Sequence, residues 1–220
     1  MATMTFYPDA HPESTTVDGF VRTAQYSETW DTIHNAASGD DVQDANALNP
    51  CIMIISGPIP GRWQGILRGI FLFNTSTLPA GITITQAVLK LYGWVAVDNL
   101  HITPDVNIYS CTPSSNIVLA LSDYPNFGTT PLSTPISNWN ASGDNEFIIN
   151  DLSVINKSGI TKLATRNACY DVADVEPTWD GALKSSYFGC YFADTTEDNH
   201  YKPRLIITYS LGRSWGYILG

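Results

Sequence analysis

The densest group of acidic side chains is the first candidate for chemistry. Asp194, Glu197, Asp198 and His200 lie together just before the last apolar run of the chain. Carboxylate oxygens are the ligands that Ca²⁺ prefers, although this spacing is not the regular one of an EF-hand loop. Asp194 and Asp198 are therefore calcium candidates, and an ordinary solvated acidic turn is the alternative. No other cofactor is expected.

Two pairs of carboxylates have the composition of a sugar-hydrolysing site, Asp144 with Glu146 and Asp171 with Asp174. That reaction needs two carboxyl groups facing each other about 5–9 Å apart across a cleft, and closeness in sequence does not provide this. The sequence also contains no G-x-S-x-G, H-E-x-x-H or P-loop pattern. We therefore expect no enzymatic activity.

The cysteines give no pattern typical of a metal site. Cys51, Cys111, Cys169 and Cys190 are widely spaced, and no C-x-x-C pair occurs. Zinc is not expected, because structural zinc sites draw their thiolates from closely spaced pairs. The prediction is free thiols buried in the core, and the alternative is disulfides formed in an oxidising compartment.

Aromatic side chains near turns are the candidates for contact with a partner. Tyr124, Phe127 and Trp139 lie among Gly, Pro, Ser and Asn residues. Rigid amphipathic rings stack on sugars or anchor protein interfaces. Trp215 and Tyr217 form a second candidate surface in the C-terminal tail, because an apolar tail is rarely left bare in water. Packing against the protein's own core or loops is the alternative for each.

The composition limits the partners. The 220 residues carry a formal net charge of −10, with only 15% charged residues. A phosphate backbone or an anionic membrane surface would be repelled by this charge, so neither nucleic acid nor membrane is an expected partner. No run of about 18 apolar residues predicts a membrane span, and residues 1–9 lack the basic and apolar regions of a signal peptide.

Short apolar runs separated by turn residues predict an all-β fold. The runs are rich in Ile, Val, Leu, Phe and Tyr, which favour strands, and two of them alternate with period two. We predict an antiparallel two-sheet sandwich with jelly-roll connections and one or two short helices, near Asp151 and near residues 28–35. The predicted strands are 51–56, 66–73, 86–94, 106–110, 117–121, 146–150, 187–193 and 204–209.

The predicted organisation is a single domain over residues 1–220. Residues 51–210 form the sandwich core in this interpretation, and residues 211–220 form a C-terminal tail. Residues 1–50 form an N-terminal extension, whose polar stretch at 36–50 is expected to be a long loop.

Three segments carry a resemblance to a known family. The stretch RGIFLFNTSTLPAG at 68–81 is followed by TITQAVLKLY at 83–92, and KPRLIITY lies at 202–209. They are similar to the R-x-L-L-x-F-D-L-S-x-L-P-x-G, x-I-x-x-A-x-L-x-L-Y and x-P-x-L-x-V-x-Y segments of DNRLRE-type β-sandwich domains. This resemblance implies a sandwich fold and does not by itself decide the function.

A second resemblance indicates the kind of assembly in which the protein would act. The segments TFYPD at 5–9 and NKSGITK at 156–162 resemble proteins of this sandwich family that environmental bacteriophage genomes encode. The resemblance implies a virion structural protein, such as a capsid decoration protein or a tail or fibre component, assembled in the host cytoplasm. Its partners would be copies of itself, other virion proteins and host-surface glycan. The alternative is an extracellular carbohydrate-binding module that uses exposed aromatic residues and calcium.

Overall fold

Eleven strands and one short α-helix organise residues 1–211, the part of the chain that the computed structural model describes. The strands are β1 (Ala2–Phe6), β2 (Asp18–Arg22), β3 (Asp41–Gln43), β4 (Leu48–Ser56), β5 (Trp63–Asn74), β6 (Ile82–Asp98), β7 (Val106–Ser110), β8 (Asp144–Ile148), β9 (Ile160–Asn167), β10 (Ser185–Tyr191) and β11 (Arg204–Leu211). The helix α1 spans Trp30–His34, and further single turns lie at Leu121–Asp123, Leu152–Val154 and Ala168–Val172.

The strands form two sheets that are continuous through the long strand β6. Its first part lies between β11 and β8, and β1 pairs with β11 at the edge. Its last part pairs with β10, and β4, β5, β2 and β3 follow in that order. β9 pairs with β5 and β7. The pairings are antiparallel, and most sheet neighbours are distant in sequence. The predicted antiparallel sandwich is confirmed.

The core between the sheets follows from the period-two pattern of the strands. Alternate residues of β6 and β11 point inward, as predicted, and bury Ala87, Leu89, Leu91, Leu205, Ile207 and Tyr209. They meet large side chains from the opposite sheet. The ring of Phe71 stacks on Phe192 at 5.2 Å, and Trp139 stacks on Phe188 at 5.3 Å. This packed layer is the main hydrophobic core.

Strand β5 is buried on both faces, which explains its continuous apolar sequence. Phe71 and Phe73 face the main core, while Ile70 and Leu72 face a second, smaller core. The second core is completed by Val21 of β2 and Ala164 of β9 from the same sheet, and by residues outside the strands, namely Val17, Cys111, Leu119 and Tyr124. The outer face of this sheet is therefore covered by the N-terminal segment and by the loop around residues 119–124.

The N-terminal third differs from the predicted extension. β1 adds to the edge of the first sheet by pairing with β11, and β2 and β3 extend the second sheet beside β5. The stretch expected to be a long loop contains β3, and β4 already begins at Leu48. The physical reason is long-range pairing, since none of these short strands has a strong apolar pattern of its own.

Two further elements differ from the sequence-based prediction. Residues 117–121 form no strand, and Ile117 and Val118 are exposed while Leu119 packs into the second core. β9 was not predicted, because Lys162 and Arg166 interrupt its apolar pattern. It forms because β5 and β7 pair with its two edges.

The predicted helical segments and free thiols agree with the structure. Near residues 28–35 the helix α1 forms, and Asp151 caps the single turn Leu152–Val154 by accepting from the Ser153 N–H. The four cysteines are free, three of them buried and Cys169 partly so. No helix within residues 1–211 has the length and apolar character needed to cross a membrane.

Candidate functional site

The register of β5 and β9 places two arginines side by side. Gly69 pairs with Thr165, so Arg68 and Arg166 are neighbours one position further along. Both arginines are buried, and the fully buried Asp171 lies between them on the turn that follows β9. The sequence gives one indication of this cluster, an arginine inside the apolar run of β5. It does not predict which carboxylate that arginine will contact.

Asp171 accepts a bidentate pair of hydrogen bonds from each arginine. Arg68 donates from Nε at 3.0 Å and from Nη2 at 2.6 Å. Arg166 donates from Nε at 2.7 Å and from Nη2 at 2.9 Å. Burial alone raises the pKa of Asp171, but the two guanidinium groups outweigh burial and hold this pKa well below its ordinary value. The carboxylate is therefore ionised and fixed in place.

The remaining donors of the arginines bind backbone carbonyls. Arg68 Nη1 donates to the carbonyl of Tyr124 at 2.7 Å, and Arg166 Nη1 donates to that of Gly128 at 3.0 Å. The Arg68 guanidinium also lies over the Tyr124 ring, 4.2 Å from its centroid. A pocket of about 240 Å³ opens beside the cluster. Each guanidinium nitrogen donates to at least one acceptor within the protein, so the cluster acts as a scaffold that joins strands to loops.

Asp171 and Asp174 do not form an opposed catalytic pair. Asp171 is held by the arginines, whereas the Asp174 side chain is 58% exposed. His34 lies between them, since its Nε2 donates to the Asp171 carbonyl at 2.6 Å and its Nδ1 is 3.2 Å from Asp174 Oδ1. The two carboxylates therefore do not face each other across a cleft. Instead, His34 bridges the Asp171 carbonyl and the Asp174 carboxylate.

A second charged cluster, here called the acidic cluster, consists of His11, Glu13, Asp18, Asp44 and Asp194. Its members come from the β1–β2 loop, the start of β2, the residue after β3 and the loop after β10. Asp18 Oδ2 accepts from the Ala193 N–H at 2.9 Å, and Asp194 Oδ1 accepts from the His11 N–H at 2.7 Å. His11 Nδ1 is 3.0 Å from Glu13 Oε2. One ligand-type atom from each of His11, Glu13 and Asp44 lies within 4.8 Å of the others.

The structure separates the two predicted calcium candidates. Asp194 belongs to the acidic cluster, but Asp198 is exposed and its Oδ1 accepts from the His200 N–H at 2.8 Å within a local turn. The prediction of Asp194 and Asp198 as a pair is therefore corrected. Sequence reasoning missed Glu13, Asp18 and Asp44, because these residues are more than 140 positions away from Asp194.

The predicted aromatic contact residues are mostly interior. Tyr124 is fully buried, and its hydroxyl donates to the Ile33 carbonyl at 2.8 Å. Trp139 is buried, and its Nε1 donates to the Gly189 carbonyl at 3.2 Å. Phe127 is partly buried beside Arg68. Tyr124 and Trp139 are thus not surface residues, because the packing of distant segments covers them. Trp215 and Tyr217 lie outside the described residues.

A different set of aromatic rings lies at the surface. Tyr92, Tyr191 and Tyr201 are partly exposed, and His200 is exposed. The contacting ring centroids lie 4.5–5.7 Å apart, and the exposed Trp94 lies two residues after Tyr92 on β6. We call these five residues the aromatic surface. Such rings offer flat apolar faces together with hydroxyl and imidazole groups.

The outer face of the first sheet carries an apolar row. The register aligns Ile206 of β11, Val88 of β6 and Ile148 of β8, with Thr5 of β1 at the edge. Ile148 is 55% exposed, and the other two are partly exposed. We call Ile206, Val88 and Ile148 the outer row. A solvated sheet face is usually polar at these positions.

Comparison with known proteins gives no family assignment, since no family model and no curated protein matches the sequence. The fold defines the class of the protein, an antiparallel β-sandwich. Among residues 1–211, its outer row and its aromatic surface are at least partly exposed. The buried arginine–Asp171 cluster and the partly exposed acidic cluster both lie where distant segments of the chain meet.

Proposed function

We propose that this chain is a non-enzymatic structural protein of a virion surface, either a capsid decoration protein or a tail or fibre component. It acts by association with copies of itself and with other virion proteins. The outer row carries this proposal. Exposed apolar side chains that are contiguous on a sheet face mark interaction sites, and cross-strand neighbours on one face are close enough to act as one patch.

Charged residues next to the outer row support the same interpretation. Two residues along the same three strands, the register aligns Arg204 of β11, Lys90 of β6 and Glu146 of β8. Asp144 of β8 lies close to Lys90. Lys90 contacts Glu146, and its Nζ lies 3.7 Å from Asp144 Oδ2. An apolar centre beside a polar rim is the usual composition of a protein interface. The resemblance of residues 5–9 and 156–162 to phage-encoded proteins supports the virion setting, with assembly in the host cytoplasm.

Replacing Ile148 with lysine is expected to weaken association by at least about tenfold. The substitution would place an ammonium group in the apolar patch, and burying it without a partner opposes assembly. The measurement is the concentration dependence of molar mass by light scattering. Ile117→Lys is the matched control, because Ile117 is similarly exposed, at 45%, but lies in a loop away from the sheet face. A wild-type chain that stays monomeric at every concentration would contradict self-association.

A carbohydrate-binding module is the second candidate function, and the aromatic surface favours it. Tyr92, Tyr191 and Tyr201 form a partly exposed group in which the Tyr92 hydroxyl is held by donating to the Ser142 carbonyl at 2.9 Å. Aromatic faces fixed in this way suit stacking on the apolar face of a sugar ring. In this case the protein would act outside the cell or on host-surface glycan.

Replacing Tyr92 with alanine is expected to lower affinity for a polysaccharide ligand by about tenfold, because Tyr92 contacts each of the other tyrosine rings of the surface. Glycan-array screening followed by titration calorimetry measures the effect. Tyr26→Ala is the control, because Tyr26 is 69% exposed and no aromatic contact involves it among the described residues. If Tyr92→Ala binds glycan as the wild type does, this second function fails.

A further inference from the structure

The acidic cluster contains three buried carboxylate oxygens that accept no hydrogen bond from the described residues. They are Glu13 Oε1, Asp18 Oδ1 and Asp194 Oδ2. Asp18 is only 1% exposed, and the Glu13 side chain is 4% exposed. Buried polar atoms are almost always paired, and an unpaired buried charge is costly. Three such atoms in one cluster therefore point to a partner that supplies positive charge.

The described residues 1–211 do not supply that charge. Within residues 1–211, no lysine or arginine forms an ion pair with Glu13, Asp18, Asp44 or Asp194, and His11 is the single basic group in contact. Asp18, Glu13 and Asp194 also lie close enough for their negative charges to act on one another.

We propose that the acidic cluster binds a Ca²⁺ ion held first by Glu13 and Asp44, whose ligand atoms lie within 4.8 Å of each other and of His11, with the unpaired carboxylate oxygens of Asp18 and Asp194 as further ligands. Oxygen donors from several loops match the flexible coordination of Ca²⁺, which takes six to eight oxygen ligands. Mg²⁺ keeps several waters and usually uses one or two carboxylates. Zn²⁺ prefers nitrogen and sulfur donors, and the cluster offers only the nitrogen of His11.

The ion would join segments that are far apart in the sequence. Glu13 and Asp18 belong to the N-terminal segment, whereas Asp194 follows β10, which lies between β4 and β6 in the second sheet. A ligand that binds the folded chain and not the unfolded one stabilises the fold by mass action. The inferred role is therefore a structural clamp on the N-terminal third, and it does not depend on which of the two proposed functions holds.

The test is a calcium titration of the full chain after treatment with EDTA, followed by calorimetry and by thermal unfolding. With Ca²⁺ at about 100 times its dissociation constant, we expect the melting temperature to rise by about 5–10 °C. Mg²⁺ at the same concentration is expected to give a smaller rise. No heat of binding and no shift in melting temperature would overturn the proposal, because the carboxyl groups would then share protons instead of an ion.

Asp18→Asn tests the assignment of the ligands. The amide has nearly the same shape and removes one buried negative charge, so the variant is expected to fold in EDTA and to bind Ca²⁺ at least about tenfold more weakly. Glu13→Gln gives an independent check from the loop should Asp18→Asn fold poorly. Asp198→Asn is the matched control and is expected to keep the wild-type response, since Asp198 is outside the cluster. Wild-type binding by both cluster variants, or loss of binding in Asp198→Asn, would overturn the assignment.

Discussion

Replacing Asp171 with alanine is expected to lower the free energy of unfolding by about 3–5 kcal/mol. The substitution leaves Arg68 and Arg166 buried beside each other without a counter-ion. Breaking a buried ion pair from one side is strongly destabilising, because the remaining charge stays desolvated and unpaired. Here two charges remain, and they also repel each other.

Urea unfolding followed by circular dichroism measures this effect. Asp41→Ala is the matched control, because Asp41 also accepts from an arginine, Arg22 Nε at 2.8 Å, but both side chains are partly exposed. Exposed pairs contribute about 0–1 kcal/mol, so the control should remain close to the wild type. Equal effects of the two substitutions would show that the buried cluster has no special role in stability.

The pH dependence of Asp171→Ala gives a second readout of the same cluster. A carboxylate whose pKa is lowered in the folded state contributes stability above its unfolded pKa, about 3.9. That contribution is lost as the pH falls through the folded pKa. The difference in stability between the wild type and Asp171→Ala is therefore expected to be constant near pH 7 and to shrink as the pH falls below about 4. A difference that grows in acid would contradict the lowered pKa of Asp171.

Replacing Phe71 with alanine is expected to cost about 3–5 kcal/mol of unfolding free energy through a different mechanism. The Phe71 ring is fully buried in the main core and stacks on Phe192 at an interplanar angle of 26°. Truncation removes this contact and leaves a cavity, and the surrounding strands can fill it only in part because both edges of β5 are paired.

Thermal and urea unfolding of Phe71→Ala measure this loss, and a fall of about 6–20 °C in melting temperature corresponds to it. Unlike the effect of Asp171→Ala, the loss should not depend on pH, because no titratable group is removed. Phe71→Leu retains most of the apolar volume and should lose clearly less stability. If Phe71→Ala left the unfolding free energy almost unchanged, the core around β5 would have to rearrange and fill the cavity.

Local patterns predicted most of the sandwich. The alternation of Ala87, Leu89 and Leu91 identified the buried face of β6, because side chains of a strand point to opposite faces whatever its partner is. The continuous apolar run of β5 likewise predicted a strand, and the structure explains that run by burial on both faces. β9 was missed because its Lys162 and Arg166 hide the pattern.

Neither charged cluster could be predicted from the sequence. Asp171 was considered with its neighbour Asp174, but its partner Arg68 is 103 residues away. Asp194 was considered with Asp198, but the backbone N–H that binds it belongs to His11, 183 residues away. Two local signals exist, an arginine in an apolar strand and an aspartate at the start of a strand. Neither signal predicts which residue the charged side chain will contact.

The sequence alone therefore determined the all-β class, most strands and their buried faces, since these depend on local periodicity and turn residues. The tertiary structure decided which strands pair, and this in turn decided what surrounds each side chain. Tyr124 and Trp139 became interior residues because distant segments cover them, while Tyr92 and Ile148 remained at the surface. Burial, pairing and charge balance depend on contacts between distant segments, and such contacts are set by the competition among all possible strand pairings.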